Sequence, residues 1–197
     1  MFKSPVTALA SALLLAMVLV LPGVSLTARC QTAPPADHKL KLNVAVVIDP
    51  EFCATKIKKN HETFEVGKAA CDVFKSALEQ GFSSVTSVAT DKDAQEAQAI
   101  LMPKFVDVSA TKTMGAFSTR ELTVLLAWTV KDRSGRTIWI ETVQGSGRNH
   151  MGNGFTYKTD LKEIIRYAVQ DLAHKSVVAM DASPELRKLE QKTASTP

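Results

Sequence analysis

ELTVLLAWTVKDRSGRTIWIETV, Glu121 to Val143, is the stretch whose alternation decides the fold. Leu122, Val124, Leu126, Trp128 and Val130 share parity, and an extended strand sends residues two apart to one face. The run thus carries a continuous apolar face. Trp128 lies in the middle of it and reads as a packing residue rather than a ligand platform. Lys131 to Gly135 is polar and ends in a glycine suited to a turn, so 121–130 and 136–143 read as the two arms of a hairpin. Ile138 and Ile140, or instead Trp139, would join the apolar face.

Working upstream, 42–48 is a short apolar run rich in β-branched residues and reads as a buried strand that Asp49-Pro50 ends. Residues 51–65 form a polar, lysine-rich connection, either functional or flexible. From Val66 the period changes: Val66, Ala69, Ala70, Val73, Phe74 and Ala77 recur at helical spacing, and Gly81 supplies the stop. A strand at 82–88 follows, then polar DKDAQEAQ, then a strand at 99–108 whose Pro103 implies a sheet edge or a bulge.

Downstream, GSGRNHMGNG (145–154) reads as a glycine-rich connector. Asp160 with Glu163 makes an aspartate version of the capping box, opening a helix that runs to about Met180. Ser183-Pro184 opens a short terminal helix, and 191–197 reads as a disordered tail. The order of elements predicts an α+β fold: a two-layer sandwich, with a mixed β-sheet and helices on one face, as a single domain over 42–190.

The first 28 residues have the grammar of a secretory signal, with Lys3, an apolar run from Ala8 to Leu21, the Pro22-Gly23 break, and small residues at Ser25 and Ala28. The apolar run is too short to span a bilayer, which needs about 20 residues as a helix. Residues 29–41 read as a polar tether. Cys30 is a candidate lipid anchor that would give membrane association. Arg29, however, occupies the position where lipoprotein processing wants a small residue, so cleavage without lipidation is the expectation. Of the 24 basic residues, Lys3 and Arg29 fall within the first thirty positions, and none of the 20 acidic residues does. The net charge of about +2 left behind excludes a strong electrostatic case for nucleic acid.

An oxidising compartment permits disulfides. Cys53 and Cys71 could close a short loop and stabilise by about 3 kcal/mol, or Cys71 could be a buried thiol on the apolar stripe of its helix. Either way Cys30 is left odd. The four histidines, His38, His61, His150 and His174, are scattered, and no nucleophile motif or metal-ligand spacing appears. No cofactor, metal or catalytic residue is expected. Within the glycine-rich stretch, Arg148 and His150 are the groups that would meet an anion, although the glycine spacing fits neither phosphate-binding fingerprint.

The strand pair LTVLLAWTVKDRSGRTIWIETVQGSG and the closing VVAMDASPELRKL, taken with the export signal and element order, resemble the small bacterial envelope lipoproteins of the YajG-like and ABC-transport-auxiliary kind. In style they are also similar, more distantly, to the lipopolysaccharide-assembly lipoprotein. The resemblance spans roughly 42–190. It implies a non-enzymatic accessory or assembly protein, periplasmic or outer-membrane-associated in a Gram-negative bacterium. Such a protein would meet an envelope partner through the 51–65 loop or a sheet edge, which could also serve an oligomer. A periplasmic lipid- or small-molecule-binding module is the alternative and would need an apolar cavity.

Overall fold

The computed structural model describes residues 39–112, 119–150 and 157–194. The signal, Cys30, His38 and the tether before Lys39 lie outside them. In chain order the described residues form β1 (Leu40–Val47), α1 (Pro50–Cys53), β2 (Ile57–Lys59), β3 (Glu62–Phe64), α2 (Val66–Gly81), β4 (Phe82–Val88), β5 (Ala99–Lys112), β6 (Thr119–Asp132), β7 (Thr137–His150), α3 (Tyr157–Ala182) and α4 (Pro184–Ala194).

The alternation of β6 holds along its whole length. Leu122, Val124, Leu126, Trp128 and Val130 are fully buried, and the residues between them are not. The β6–β7 turn is fixed by Asp132, whose carboxylate accepts hydrogen bonds from the backbone N–H groups of Ser134 and Arg136, and by Gly135 at φ +81°. Trp139 pairs with Val130 and packs on the core, whereas Ile140 is 67% exposed. β5 runs antiparallel to β6; β1 runs parallel to both β5 and β4. The five-stranded order is β4-β1-β5-β6-β7, a mixed sheet. Side chains from α2 (Ala70, Phe74, Leu78) and α3 (Ile164, Ala168, Leu172) share one core with the buried face of this sheet. The fold class is therefore α+β, as the element order implied.

Trp128 brings a polar atom into this core and has it satisfied. Its Nε1–H donates to Ser176 Oγ at 2.8 Å, and that hydroxyl donates to the Leu172 carbonyl one helical turn back. A buried indole N–H without a partner would be costly.

Four local expectations are corrected. Pro103 belongs to a strand that is central in the sheet order, yet it lies just past Leu101, where β1 stops pairing, so its half of β5 is paired on one side only. The bulge lies farther along, between Phe105 and Asp107. Second, the glycine-rich stretch is no connector up to His150. β7 continues through it because Gly145 and Gly147 let the α3 backbone lie directly against the strand. A Cβ at Gly145 would come within 2.3 Å of the Ala168 carbonyl, and one at Gly147 within 2.4 Å of the Ile164 carbonyl. Third, α3 begins at Tyr157, so Asp160 lies inside the helix and does not cap it. Last, α4 is helical through Ala194, well into the stretch read as tail. Its start matches the reading, with Ser183 Oγ accepting from the Leu186 N–H at 3.3 Å.

Candidate functional site

The connection at 51–65 is where the structure departs furthest from a plain polar loop. Asp49 Oδ1 accepts from the Phe52 N–H at 2.6 Å, and Pro50 supplies a helix-ready φ, so one turn of helix forms immediately after β1. That turn buries Phe52, which stacks on Phe105 with ring centroids 5.0 Å apart and also meets Phe74. Cys53 follows and is bonded to Cys71 of α2, with Cα atoms 5.7 Å apart. Of the two readings of the cysteines, the disulfide is the one present. Gly67, in the first turn of α2, allows this contact: a Cβ there would stand 2.2 Å from the Phe52 carbonyl oxygen.

The chain then turns back on itself. Asn60 and His61 both have positive φ, at 50° and 65°, as a tight two-residue hairpin turn requires. They join β2 to β3, with Lys59 opposite Glu62 and Ile57 opposite Phe64. Phe64 is buried. Above its ring lies the guanidinium of Arg120, 6.0 Å from the centroid, which also forms an ion pair with Glu62. Arg120 is itself buried, at 4% exposure. It shares parity with Leu122 and Val124 on β6 and so comes from the core face of the long strand to hold the short hairpin.

The lysine run is largely neutralised. Lys56 Nζ lies 2.7 Å from Glu65 and Lys59 Nζ 2.7 Å from Asp107 on β5. Hydrogen bonding from Lys59 and from the Val108 N–H holds the Asp107 carboxyl below its ordinary value, and Lys56 does the same for Glu65. Lys58, Asn60, His61 and Thr63 face solvent. The result is an exposed polar strip on a base fixed by a disulfide, two buried aromatic rings and ion pairs.

Arg148 and His150 both lie on strand β7. Arg148 sits in β7 opposite Glu121 of β6 and donates to its carboxylate at 2.8 Å, which raises the guanidinium pKa above its usual value. His150 ends β7 opposite Thr119; its side chain and residues 151–156 lie outside the described residues. A cleft of about 1080 Å³ is an open trough between the β6–β7 turn and α4 that includes Arg133, Arg136, Lys188 and Lys192, with no histidine or cysteine. His174 borders a different groove, of about 480 Å³, between β7 and α3. Among the described residues, no group of three side chains is placed to hold a metal ion. No helix among them is long and apolar enough to cross a membrane.

Arg120, Glu62 and Phe52 were missed as the residues that organise this region. Two of the three left a trace in the sequence: Arg120 is a charged residue at the start of the apolar parity of β6, and Phe52 follows an Asp-Pro helix start. Glu62 shows no local signal.

No protein-family model and no curated protein matches the chain in sequence. Among solved structures, the chain is similar to a protein of the DUF330 family from Xanthomonas campestris, with a TM-score of 0.53, 11% identity, and coverage of 83% of this chain and 94% of that one. A minor lipoprotein from Acinetobacter baumannii aligns with a TM-score of 0.46 and 12% identity, over 79% of this chain and 96% of that one. The first of these likenesses shows a shared fold.

Proposed function

We propose that this chain is an exported, non-catalytic protein of the cell envelope that works by association, and that the 50–65 excursion is the surface it presents to an envelope partner. The observation that carries this reading is the investment in the excursion. A segment this short is closed by the Cys53–Cys71 disulfide, anchored by Phe52 and Phe64, and pinned by Arg120 to Glu62, while the side chains at its tip stay in solvent. A rigid base under an exposed polar strip lowers the ordering cost of binding. The disulfide accords with an oxidising compartment and the signal-like N-terminus with export. Such a protein would be periplasmic or outer-membrane-associated, with Cys30 as the anchor residue if it is lipidated.

Site-specific photo-crosslinking from Asn60 or Thr63 in intact cells tests the assignment. Lys58→Glu combined with Thr63→Glu is expected to reduce recovery of the crosslinked partner at least about tenfold, as charge reversal on an interface does, with the circular dichroism spectrum unchanged. Equal recovery from a folded double variant would move the partner surface elsewhere.

A further inference from the structure

The sheet has two outer strands and a half-exposed central one, and they are not protected alike. On β7, the Ser146 N–H donates to Asp171 of α3 at 2.8 Å, and Glu141 places a charge midway along the strand. The half of β5 beyond β1 contains Pro103 and a bulge and lies beside the small hairpin, tied to it by Lys59 and Asp107. β4 has none of these devices. It is FSSVTSV, seven residues without a charge, proline or glycine, and among the described residues only β1 pairs with it. Its Ser83, Ser84, Thr86 and Ser87 are exposed. Natural sheets normally blunt such an edge, and an unblunted one is a template for another strand.

The order of residues in β4 points to the partner. Around Val85 the strand reads Ser-Ser-Val-Thr-Ser, the same in kind in both directions. An antiparallel copy centred on Val85 would set Ser83 opposite Ser87, Ser84 opposite Thr86, and Val85 opposite itself. Cross-strand Ser and Thr pairs are favourable, and no like charges meet. The flanking helix leads straight from Gly81 into β4, and its exposed residues Lys68, Asp72, Lys75 and Glu79 alternate in sign. No single-sign field opposes a second copy. A surface that complements itself about one axis is what a two-fold dimer needs.

We infer that two copies of this chain join through β4, antiparallel about a two-fold axis at Val85, to give one continuous sheet across the pair. The pairing uses a different part of the molecule from the 50–65 excursion and goes beyond the proposed partner binding.

Sedimentation velocity of the processed chain over a concentration series is expected to show a monomer–dimer equilibrium. Ser84→Lys with Thr86→Lys gathers four ammonium groups around the axis and is expected to weaken the dimer at least about tenfold, with an unchanged dichroism spectrum. In a Cys30→Ser background, Val85→Cys is expected to yield a disulfide-linked dimer on oxidation, because only the residue on the axis faces its own copy. Val88→Cys is expected to yield none. A wild-type chain that sediments as a monomer throughout overturns the inference, as does a lysine variant that dimerises like wild type. Loss of the envelope partner from the lysine variant, with the wild type monomeric, would assign the edge to a partner strand and also overturns it. The Lys58→Glu, Thr63→Glu variant is expected to dimerise normally, which separates this test from that of the proposed function.

Discussion

The β6–β7 and β2–β3 hairpins use the same element and are held in place by different forces. The long hairpin has an unbroken row of buried side chains from Leu122 to Val130 and a helix lying against the glycines of its second strand. The short one has three-residue strands, too few to bury an apolar face, and borrows its stability from a disulfide, from Phe52 and Phe64, and from a buried arginine belonging to the long hairpin. An isolated hairpin is marginal in water. Strand length decides which solution is available: a long strand stabilises itself through burial, and a short one must be fastened.

Removing the anchor of the long hairpin should do the most damage. Trp128→Ala is expected to cost about 3–5 kcal/mol in urea denaturation, as for other large buried aromatics, and to unfold both hairpins in one transition, because Arg120 rides on the same strand. A loss near zero would show that the row of β6 residues does not carry the core. Cutting the fastening should be milder and more local. Cys53→Ser with Cys71→Ser is expected to cost about 3 kcal/mol. Hydrogen exchange should then speed up at Ile57–Phe64 well before it does in β6. Uniform acceleration across the sheet would erase the distinction between the two hairpins.

The subtlest change concerns a polar tie between β7 and α3, the Ser146 N–H to Asp171 hydrogen bond. Burial alone would raise the Asp171 carboxyl pKa, but hydrogen bonds from Lys175 and the Ser146 N–H, with the Lys175 charge, outweigh it and keep the value below the ordinary one. A depressed folded pKa means that the stabilisation is complete above the unfolded value, near about 3.9, and disappears as pH falls through the folded one. Asp171→Asn should therefore lower Tm slightly at neutral pH, with the gap to wild type closing on acidification. Parallel Tm curves across that range would remove Asp171 from the account.

The same contrast explains what could be read from the chain. Strand parity is a local property, so the face containing Trp128 was legible, as were α2 up to its stop at Gly81 and the Ser183-Pro184 start of α4. The number of glycines around 145 and 147 suggests flexibility, whereas the spacing of these two continues the parity of Val143 and marks where a helix lies close. In sequence the excursion reads as a loop because its strands are too short to show a period. Its fastenings, Glu62 to Arg120 and Lys59 to Asp107, join residues far apart in the chain. Only the Asp-Pro helix start and the two cysteines announced it, and the pairing of the cysteines stood open beside a buried-thiol reading. The proposed association surfaces are the least legible part, since exposure of a strip or of an edge is decided by what else packs nearby.

β1 has a consequence for the order in which the chain can assemble. Among the described strands it is the first made, yet both its neighbours are parallel and come from well downstream, so nothing local completes it. The antiparallel β5, β6 and β7 meander closes through short connections and bears the lower loop-closure cost. Folding is thus expected to run against the direction of synthesis, with the last-made strands pairing early and the first strand inserting late. A chain that emerges N-terminus first would hold an unpaired apolar strand, Leu40 to Val47, through most of its emergence, and chaperones that shield extended apolar segments would find their natural client there.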